Sequence, residues 1–575
     1  MKNRIISLTA FFFLFLGSYT LGFAAILPVQ NFLPGSTQPG VMSNYLSQKA
    51  HHGLLPLPPR RPILPEQPSF GPEAGVVSFK LTKIIIEGNH VYTQQQLFPL
   101  YKDQLNTNIT VAKLAALVQS ITNFYHNNGY ILSEAYLPPQ RIHNGVVQIK
   151  IIEGYVDKVT IVGNPKKARK ILEIYGAKIE QSKPLQEKVL ERYMLLANEI
   201  PGMTAKAVLE PSKKVVGTTN LTITAEEKSY SAYYSYDNYG SLFLGPQENS
   251  LGGTLNSILL PGDQASVSLE ETTRPKQLRY YDVHYQSLIG KDGMYANIGK
   301  NYSTTRPGLN LTALKVNGQS VTYYSNVYYS VLRTREASFI LDAGFNYIDS
   351  QVTITPATLL LYRDHLRPID VGGTYDFINH ANGSASIGLH YTQGLNIFGA
   401  SNSPISTTTS RFAADGVFSK FNLQVMYQQP FAKKFEFYIL ATGQYAFNPL
   451  LVSTQYAYGG YLMGRGYDPA EIIGDSGLGE AGELRMNLQP NIPLVQSMQA
   501  YIFYDAGAIW NIKNLPEVKK KQSITSTGFG ARFTFTKFVT ANVMFGQPLT
   551  KQIFAESLRG RGRCPRVQFS IMASI

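Results

Sequence analysis

One short run of residues, Gly474-Asp475-Ser476-Gly477, has the residue types of the nucleophile segment of a serine protease. An activated serine needs a histidine base that is itself held by an acid, and no neighbouring segment offers a matching histidine motif. The sequence also lacks a Gly-x-x-x-x-Gly-Lys phosphate loop and a His-Glu-x-x-His zinc helix. Its nine histidines show no metal-ligand spacing. We therefore predict neither enzymatic activity nor a bound metal or other cofactor.

The N-terminus indicates export. Lys2 and Arg4 precede an apolar run from Ile5 to Leu16, and Gly22-Phe23-Ala24 offers small-residue cleavage spacing, so residues 1–24 are predicted to be a signal peptide. Residues 25–76 are rich in Pro and Gly and predict an extended linker. Within them, Val41–Ala50 fits a short helix.

The composition favours a β-rich protein that meets a membrane. The chain has 37 Tyr and 30 Phe, while charged residues make up only 16% of it. A formal net charge of +14 raises the question of nucleic acid, but the basic residues are dispersed, so we predict no nucleic-acid partner. The single cysteine, Cys564, cannot form an internal disulfide.

Two units with the order β-α-α-β-β follow the linker, at residues 77–154 and 155–227. The clearest helix of the first unit has one apolar stripe at steps of three and four residues, formed by Leu114, Leu117, Val118, Ile121 and Tyr125. Two strands are predicted after it, Ile131–Leu137 and Val146–Glu153. Each unit is a plausible small α+β domain.

Residues 228–575 show a different pattern, with short segments of period two separated by polar or Gly-containing loops. In Phe435–Phe447, for example, apolar and aromatic residues alternate with Glu436, Tyr438, Thr442 and Gln444. Such rows fit the lipid and lumen faces of a transmembrane barrel. At ~9 to 11 residues for each tilted strand, the region holds about 16 strands. The predicted fold is mainly β, an antiparallel transmembrane barrel preceded by two α+β domains.

Asp505 carries a charge inside one of these alternating segments, on the same face as Tyr501 and Phe503. A charge that faces lipid is costly, so this face is predicted to point into the lumen. An arginine in that low-dielectric interior would find a planar, bidentate partner there.

Several motifs resemble those of the TpsB transporters of two-partner secretion, which export haemolysins and filamentous haemagglutinins. The paired units resemble POTRA domains, and Ile200-Pro201-Gly202-Met203 is similar to a segment of the second POTRA domain of this family. The most specific likeness is Gly464-Arg465-Gly466-Tyr467, which resembles the Val-Arg-Gly-Tyr tip of a hairpin that folds from the sixth outer loop into the lumen. The hairpin is placed at residues 459–480.

The resemblance implies wall partners for this arginine. In the family the hairpin arginine meets acids on neighbouring strands, and the matching positions are Glu483 and Asp505, with Phe503 beside them. Gly464 stands where the family has Val, which predicts looser packing of the tip. The chain also ends in Ile575 instead of an aromatic residue. A fixed structural ion pair fits these residues as well as a moving one.

The resemblance implies an outer-membrane protein of a Gram-negative bacterium, with its POTRA domains in the periplasm. It also implies that residues 25–76 provide a plug helix for the pore. An unfolded secreted exoprotein, a haemolysin or adhesin, would bind a POTRA groove formed by Leu117, Ile121, Ile131 and Ala135 and cross the lumen without ATP. The basic run Arg559–Arg563 is predicted to be an outer loop that touches lipopolysaccharide. The alternatives are a barrel-assembly insertase and, less well supported, a passive porin.

Overall fold

A computed structural model describes residues 33–52, 78–213, 217–355, 359–404, 406, 408–512 and 519–575. The predicted signal peptide and most of the Pro-rich linker lie outside these ranges. Within them, no helix has both the length and the apolar character needed to span a membrane. The first helix, α1 (Pro39–His52), covers the predicted segment 41–50 and extends it at both ends.

The first N-terminal domain is a three-stranded sheet covered by helices, with a small two-stranded sheet beside it. Its central strand β5 pairs in parallel with β2 and antiparallel with β4. Thr110 begins the long helix by accepting a hydrogen bond from the Lys113 amide at 3.2 Å. The elements are β1 (Ser78–Lys80), β2 (Lys83–Glu87), α2 (Gln94–Leu97), β3 (Asn108–Thr110), α3 (Val111–Asn127), β4 (Glu134–Tyr136) and β5 (Val146–Ile152).

The second N-terminal domain repeats this arrangement. Its central strand β8 pairs in parallel with β6 and antiparallel with β7, and a separate hydrophobic core centred on Leu172, Leu196 and Leu221 lies between sheet and helices. The elements are β6 (Tyr155–Asn164), α4 (Arg169–Glu180), α5 (Glu187–Glu199), β7 (Met203–Pro211) and β8 (Thr218–Glu227).

The rest of the chain forms a closed antiparallel barrel. Two segments, β16 and β17, pair with the same neighbour β15 and form one interrupted strand, so the barrel has the predicted 16 strands. The strands are β9 (Tyr230–Asp237), β10 (Glu248–Asn256), β11 (Gln264–Thr272), β12 (Leu278–Ile289), β13 (Met294–Thr305), β14 (Val316–Arg333), β15 (Ala337–Ile354), β16 (Leu359–Leu366), β17 (Pro368–Ile378), β18 (Ser384–Gly394), β19 (Ser419–Pro430), β20 (Phe435–Ala446), β23 (Ser476–Leu488), β24 (Ser497–Trp510), β25 (Lys521–Thr536), β26 (Val539–Pro548) and β27 (Arg566–Ser574).

Closure is made by the first and last strands, because β9 pairs with β27 from Asp237 opposite Ser570 to Tyr233 opposite Ser574. A closed barrel leaves no unpaired strand edge in lipid. The predicted alternation is confirmed. On β24 the outward Ile502 and Tyr504 are 57% and 50% exposed, whereas the inward Asp505 is fully buried.

The loop between β20 and β23 enters the lumen. It carries a two-stranded hairpin, β21 (Tyr456–Tyr458) and β22 (Ile472–Gly474), which pairs antiparallel. The hairpin therefore begins and ends earlier than the predicted range 459–480, whose last residues belong to barrel strand β23. Helix α1 lies beside the hairpin. Its Met42 and Leu46 pack on strand and loop residues at the end of the barrel that is opposite the N-terminal domains.

Other boundaries also differ from the prediction. The segment Ile131–Leu137 forms a strand only at Glu134–Tyr136, because residues 131 and 132 turn toward the second domain and pack on its core. A short helix, α6 (Phe554–Ser557), interrupts the last outer loop, where no helix was predicted.

Candidate functional site

Arg465 at the hairpin tip is clamped onto Asp505 of the barrel wall. Its Nη2 and Nε atoms donate to the two carboxylate oxygens at 2.6 and 3.0 Å, which is the bidentate geometry that arginine favours. The backbone amides of Gly464 and Arg465 donate to the same carboxylate at 3.1 and 2.8 Å. The guanidinium also lies 3.8 Å from the centre of the Phe503 ring. The structure thus brings together four of the residues singled out from the sequence, Gly464, Arg465, Phe503 and Asp505.

Glu483 is the second wall partner, and it is shared. It accepts a hydrogen bond from Arg465 Nη1, from Arg485 Nε at 2.6 Å and from Arg532 Nη2 at 2.9 Å. Arg485 in turn reaches Glu436 at 2.9 Å. Arg485, Arg532 and Glu436 did not enter the predicted site, although their positions in period-two segments place them on the lumen face. This network leaves the buried carboxylate of Glu483 with several cationic donors.

The tip fits closely against the wall. Gly464 has φ +78°, and a Cβ atom there would lie 2.9 Å from the Tyr458 ring, so a β-branched residue would be strained. The looser packing predicted for Gly464, relative to the Val of the family, stays a prediction. A Cβ on Gly466 would lie 2.8 Å from Ser526. Tyr467 is fully buried and donates to the Thr525 carbonyl at 3.1 Å.

Lys49 of helix α1 makes a second ionic contact inside the lumen. Its ammonium lies 3.0 Å from Asp237, 2.7 Å from Glu248 and 2.7 Å from Glu270, carboxylates on three neighbouring strands. The rings of Tyr239 and Tyr461 lie about 6 Å away, at 5.8 and 6.0 Å from the ammonium. We call Lys49 and its three acids the helix latch. The sequence pattern predicted the helix but gave no sign of this contact.

The segment that resembled a protease nucleophile has a structural role. Asp475 is fully buried and pairs with the buried Arg411, and it accepts hydrogen bonds from the backbone amides of Leu450 and Ile512 at 2.9 Å each. Ser476 Oγ accepts the amide of Ala446 at 3.0 Å. Asp475 thus ties three loops together at the barrel end opposite the N-terminal domains.

The predicted client groove needs correction. Leu117, Ile121 and Ala135 are buried in the core of the first domain at 6%, 0% and 6% exposure, because the apolar stripe of α3 faces its own sheet. Ile131 is half-buried and packs on the second domain instead. These side chains therefore do not line an open groove.

In the same core, burial and a hydrogen bond from the Tyr125 hydroxyl to Glu153 raise the pKa of that hydroxyl.

An open groove does lie between the two N-terminal domains. It has a volume of about 630 Å³ and includes Val91 and Tyr130 of the first domain and Lys183, Val189 and Tyr193 of the second. Gln186 donates to the Tyr130 hydroxyl across it at 3.4 Å. This surface combines apolar, aromatic and cationic side chains.

Fold and lumen together define an outer-membrane β-barrel that carries periplasmic POTRA domains. Residues 217–533 match the model of the haemolysin secretion/activation protein family ShlB/FhaC/HecB, and residues 79–154 match a POTRA domain of ShlB type. The chain belongs to this family of outer-membrane transporters, as its sequence motifs predicted.

Several known proteins are similar along most of the chain. The heme/hemopexin transporter protein HuxB of Haemophilus influenzae is 25% identical over 83% of this chain and 85% of its own length. The outer membrane transporter CdiB of Dickeya dadantii is 24% identical over 76% and 77%. A solved structure of CdiB from Escherichia coli has a TM-score of 0.73 at 18% identity and covers 96% of this chain and all of its own.

Replacing Arg465 should destabilise the barrel. R465A leaves Asp505 and Glu483 with less counter-charge in a buried position, and removing one member of a buried ion pair costs about 3–5 kcal/mol. We expect the temperature at which the barrel loses its fast, folded migration on a gel to fall clearly for R465A and less for R465K, which keeps the charge. An unchanged transition for R465A would contradict the clamp.

Lys49 should hold α1 in the lumen. K49A removes the ammonium through which the helix binds three wall carboxylates, so the helix should leave the lumen more readily and the single-channel conductance in planar bilayers should rise. K49R keeps the charge and should stay near the unsubstituted level. Q48A changes an exposed neighbour on the same helix and serves as the matched control. Equal conductance for K49A and Q48A would show that the helix latch does not hold the helix.

Proposed function

We propose that this protein exports an unfolded secreted polypeptide through its barrel, after the POTRA domains capture it in the periplasm. The observation that supports this most is the lumen itself. Its wall is closed and polar, and the elements that fill it, α1 and the Arg465 hairpin, are not part of the wall. A polypeptide can replace α1 without any strand pair opening.

Capture is proposed at the groove between the POTRA domains and at a strand edge of the second one. The edge strand β7 has nine residues and pairs on one side with β8, and its Val208 is 52% exposed. An extended client can add to such an edge through main-chain hydrogen bonds, which demand little of its sequence. The three-residue edge strand β4 offers far less backbone.

Transport is proposed to proceed without ATP. The sequence has no phosphate-loop motif, and the periplasm lies outside the compartment where nucleotides are made. Folding of the client at the outer face would remove it from the equilibrium between the two sides of the membrane and make its transfer directional.

Outer-leaflet lipids are proposed as a second partner. Arg559, Arg561 and Arg563 are exposed in the loop before β27, and Lys519–Lys521 are exposed at the neighbouring outer loop. Lys551 Nζ donates to Gln522 Oε1 at 3.2 Å and joins the two loops. Such a basic surface at the membrane boundary suits the phosphate groups of lipopolysaccharide.

The two alternative functions have less support. A barrel-assembly insertase must open its wall sideways to deliver a strand to lipid, whereas this wall is closed at β9 and β27. A passive porin needs an open lumen and has no use for client-binding domains. In this barrel, α1 and the hairpin occupy the lumen. Membership in a secretion family favours export over both.

Photo-crosslinking should detect client capture. A photoreactive residue at Val189, in the groove, should trap the co-expressed secreted partner during export, because the client would lie against the apolar lining. The same residue at Glu173, which is exposed on α4 and not part of the groove, should trap none. Export without any adduct at Val189, or equal adducts at both positions, would contradict capture in the groove.

A disulfide between β9 and β27 should distinguish client export from the barrel-assembly insertase function. Ser235 and Met572 are cross-strand partners on β9 and β27, and cross-strand Cα atoms lie about 4.5–5.5 Å apart, within reach of a disulfide. In a C564S background, S235C/M572C should oxidise and still secrete the client at the level of C564S alone. Secretion that is lost on oxidation and restored by reductant would instead show that the wall opens during function.

A further inference from the structure

One part of the lumen is not used by the clamp or by the helix latch. A cavity of about 360 Å³ lies beside α1 against strands β13–β15 and β17–β19. Most of its lining consists of uncharged amide and hydroxyl groups, among them the side chains of Asn297, Asn301, Asn326, Asn346 and Asn422. Strands β20 and β23–β25, by contrast, carry the ionic network around Glu483.

The two charged groups in the cavity wall are already engaged. Asp370 accepts hydrogen bonds from Asn346 at 2.9 Å and from Thr392 at 2.5 Å. Lys420 donates to Gln444 and to the Thr454 carbonyl, both at 2.9 Å. The surface presented to the cavity is therefore mainly one of neutral donors and acceptors.

At the end opposite the N-terminal domains, this wall already binds a polypeptide backbone. Ser303 and Thr305 of β13 donate to the main-chain carbonyls of Pro39 and Thr37, each at 3.0 Å. One turn further along α1, Ser43 donates to Asn301 Oδ1 at 3.0 Å. The segment that leads into α1 is thus held by hydrogen bonds to its backbone and to a small hydroxyl, without an ion pair.

Asparagine side chains elsewhere on this wall also offer neutral hydrogen-bond donors and acceptors. Asn326 donates to Asn297, its cross-strand partner, at 2.9 Å, and Asn422 donates to Thr392 at 3.2 Å. Each asparagine has two donors and one acceptor oxygen with two lone pairs, so one bond along the wall leaves capacity for a second partner in the cavity.

We propose that this amide-lined wall is the track along which the translocating client moves, binding it in extended form through its backbone amides and carbonyls. The proposal rests on the export function proposed above and names the surface that carries it. Backbone groups withdrawn from water need partners, and neutral amides supply them whatever the client sequence. Binding in a conduit must also be weak enough for exit, a condition that neutral amides suit better than the charged wall of β20 and β23–β25.

Crosslinking inside the lumen tests the track. A client fused to a folded C-terminal domain should stall in the full-length transporter, with photoreactive residues placed one at a time along the wall. We expect adducts at Asn326 and Asn422, and far fewer at Asn542 on the opposite wall. Ile298 and Leu423, which face outward on the same strands at 62% and 42% exposure, give the background level.

Each result has one meaning. Adducts confined to Asn542 would overturn the track but leave export through the lumen intact. Adducts at background level at all lumen positions, while Val189 still traps the stalled client, would overturn passage through the lumen and the track with it.

Isosteric substitution gives a second test. N326D and N422D keep the side-chain shape, remove amide donors and add charge, so secretion should fall by roughly fivefold for each lost donor. N542D makes the same change on the opposite wall and should leave secretion near the unsubstituted level. Heat-dependent gel migration confirms that each variant assembles. An equal loss in N542D, or no loss in the other two, would overturn the track.

Discussion

Closed strand pairing is the constraint on which the rest of this structure depends. In lipid, every backbone N–H and C=O group of a barrel must find its hydrogen-bond partner within the wall. The short ladder between β9 and β27 closes the ring of paired strands. Because side chains alternate along each strand, closure also fixes which residues face inward. Within each strand, every second residue is thus available to line the lumen, as Asp237 does on β9.

Closure creates a problem of charge inside the barrel. Asp237, Glu248, Glu270, Glu483 and Asp505 are all buried on the lumen face, where an unpaired carboxylate is costly. The wall supplies Arg485 and Arg532 near one of these groups, but the remaining cations come from elements that enter the lumen, Arg465 from the hairpin and Lys49 from α1. The elements that occupy the lumen therefore also neutralise the carboxylates of its wall.

The sequence predicted the repeating features well and the long-range contacts unevenly. Period two identified the barrel and its inward face, since alternation is a local property, and the Asp505 contact followed from a motif together with that alternation. The helix latch could not be predicted, because Lys49 lies far in sequence from its three acids and its helix has only a weak apolar pattern. The prediction that Leu117, Ile121 and Ala135 line an open groove was wrong for a related reason. A stripe such as Leu117 and Ile121 identifies a buried helix face, but periodicity does not say whether a sheet or a client covers it.

The two elements in the lumen are not held equally. The hairpin is bounded at both ends by wall strands β20 and β23, and Asp505 receives the Arg465 guanidinium together with two backbone amides. Helix α1 relies on one ammonium and a set of neutral hydrogen bonds, and its Lys49 side chain is 10% exposed. Residues 53–77 join it to the first POTRA domain with a reach of roughly 80 Å when fully extended. Release of α1 therefore breaks the three ion pairs of a single ammonium and a few neutral hydrogen bonds, whereas release of the hairpin tip breaks a bidentate pair and its backbone supports together. The geometry favours a helix that leaves and a hairpin that stays to constrict the passage.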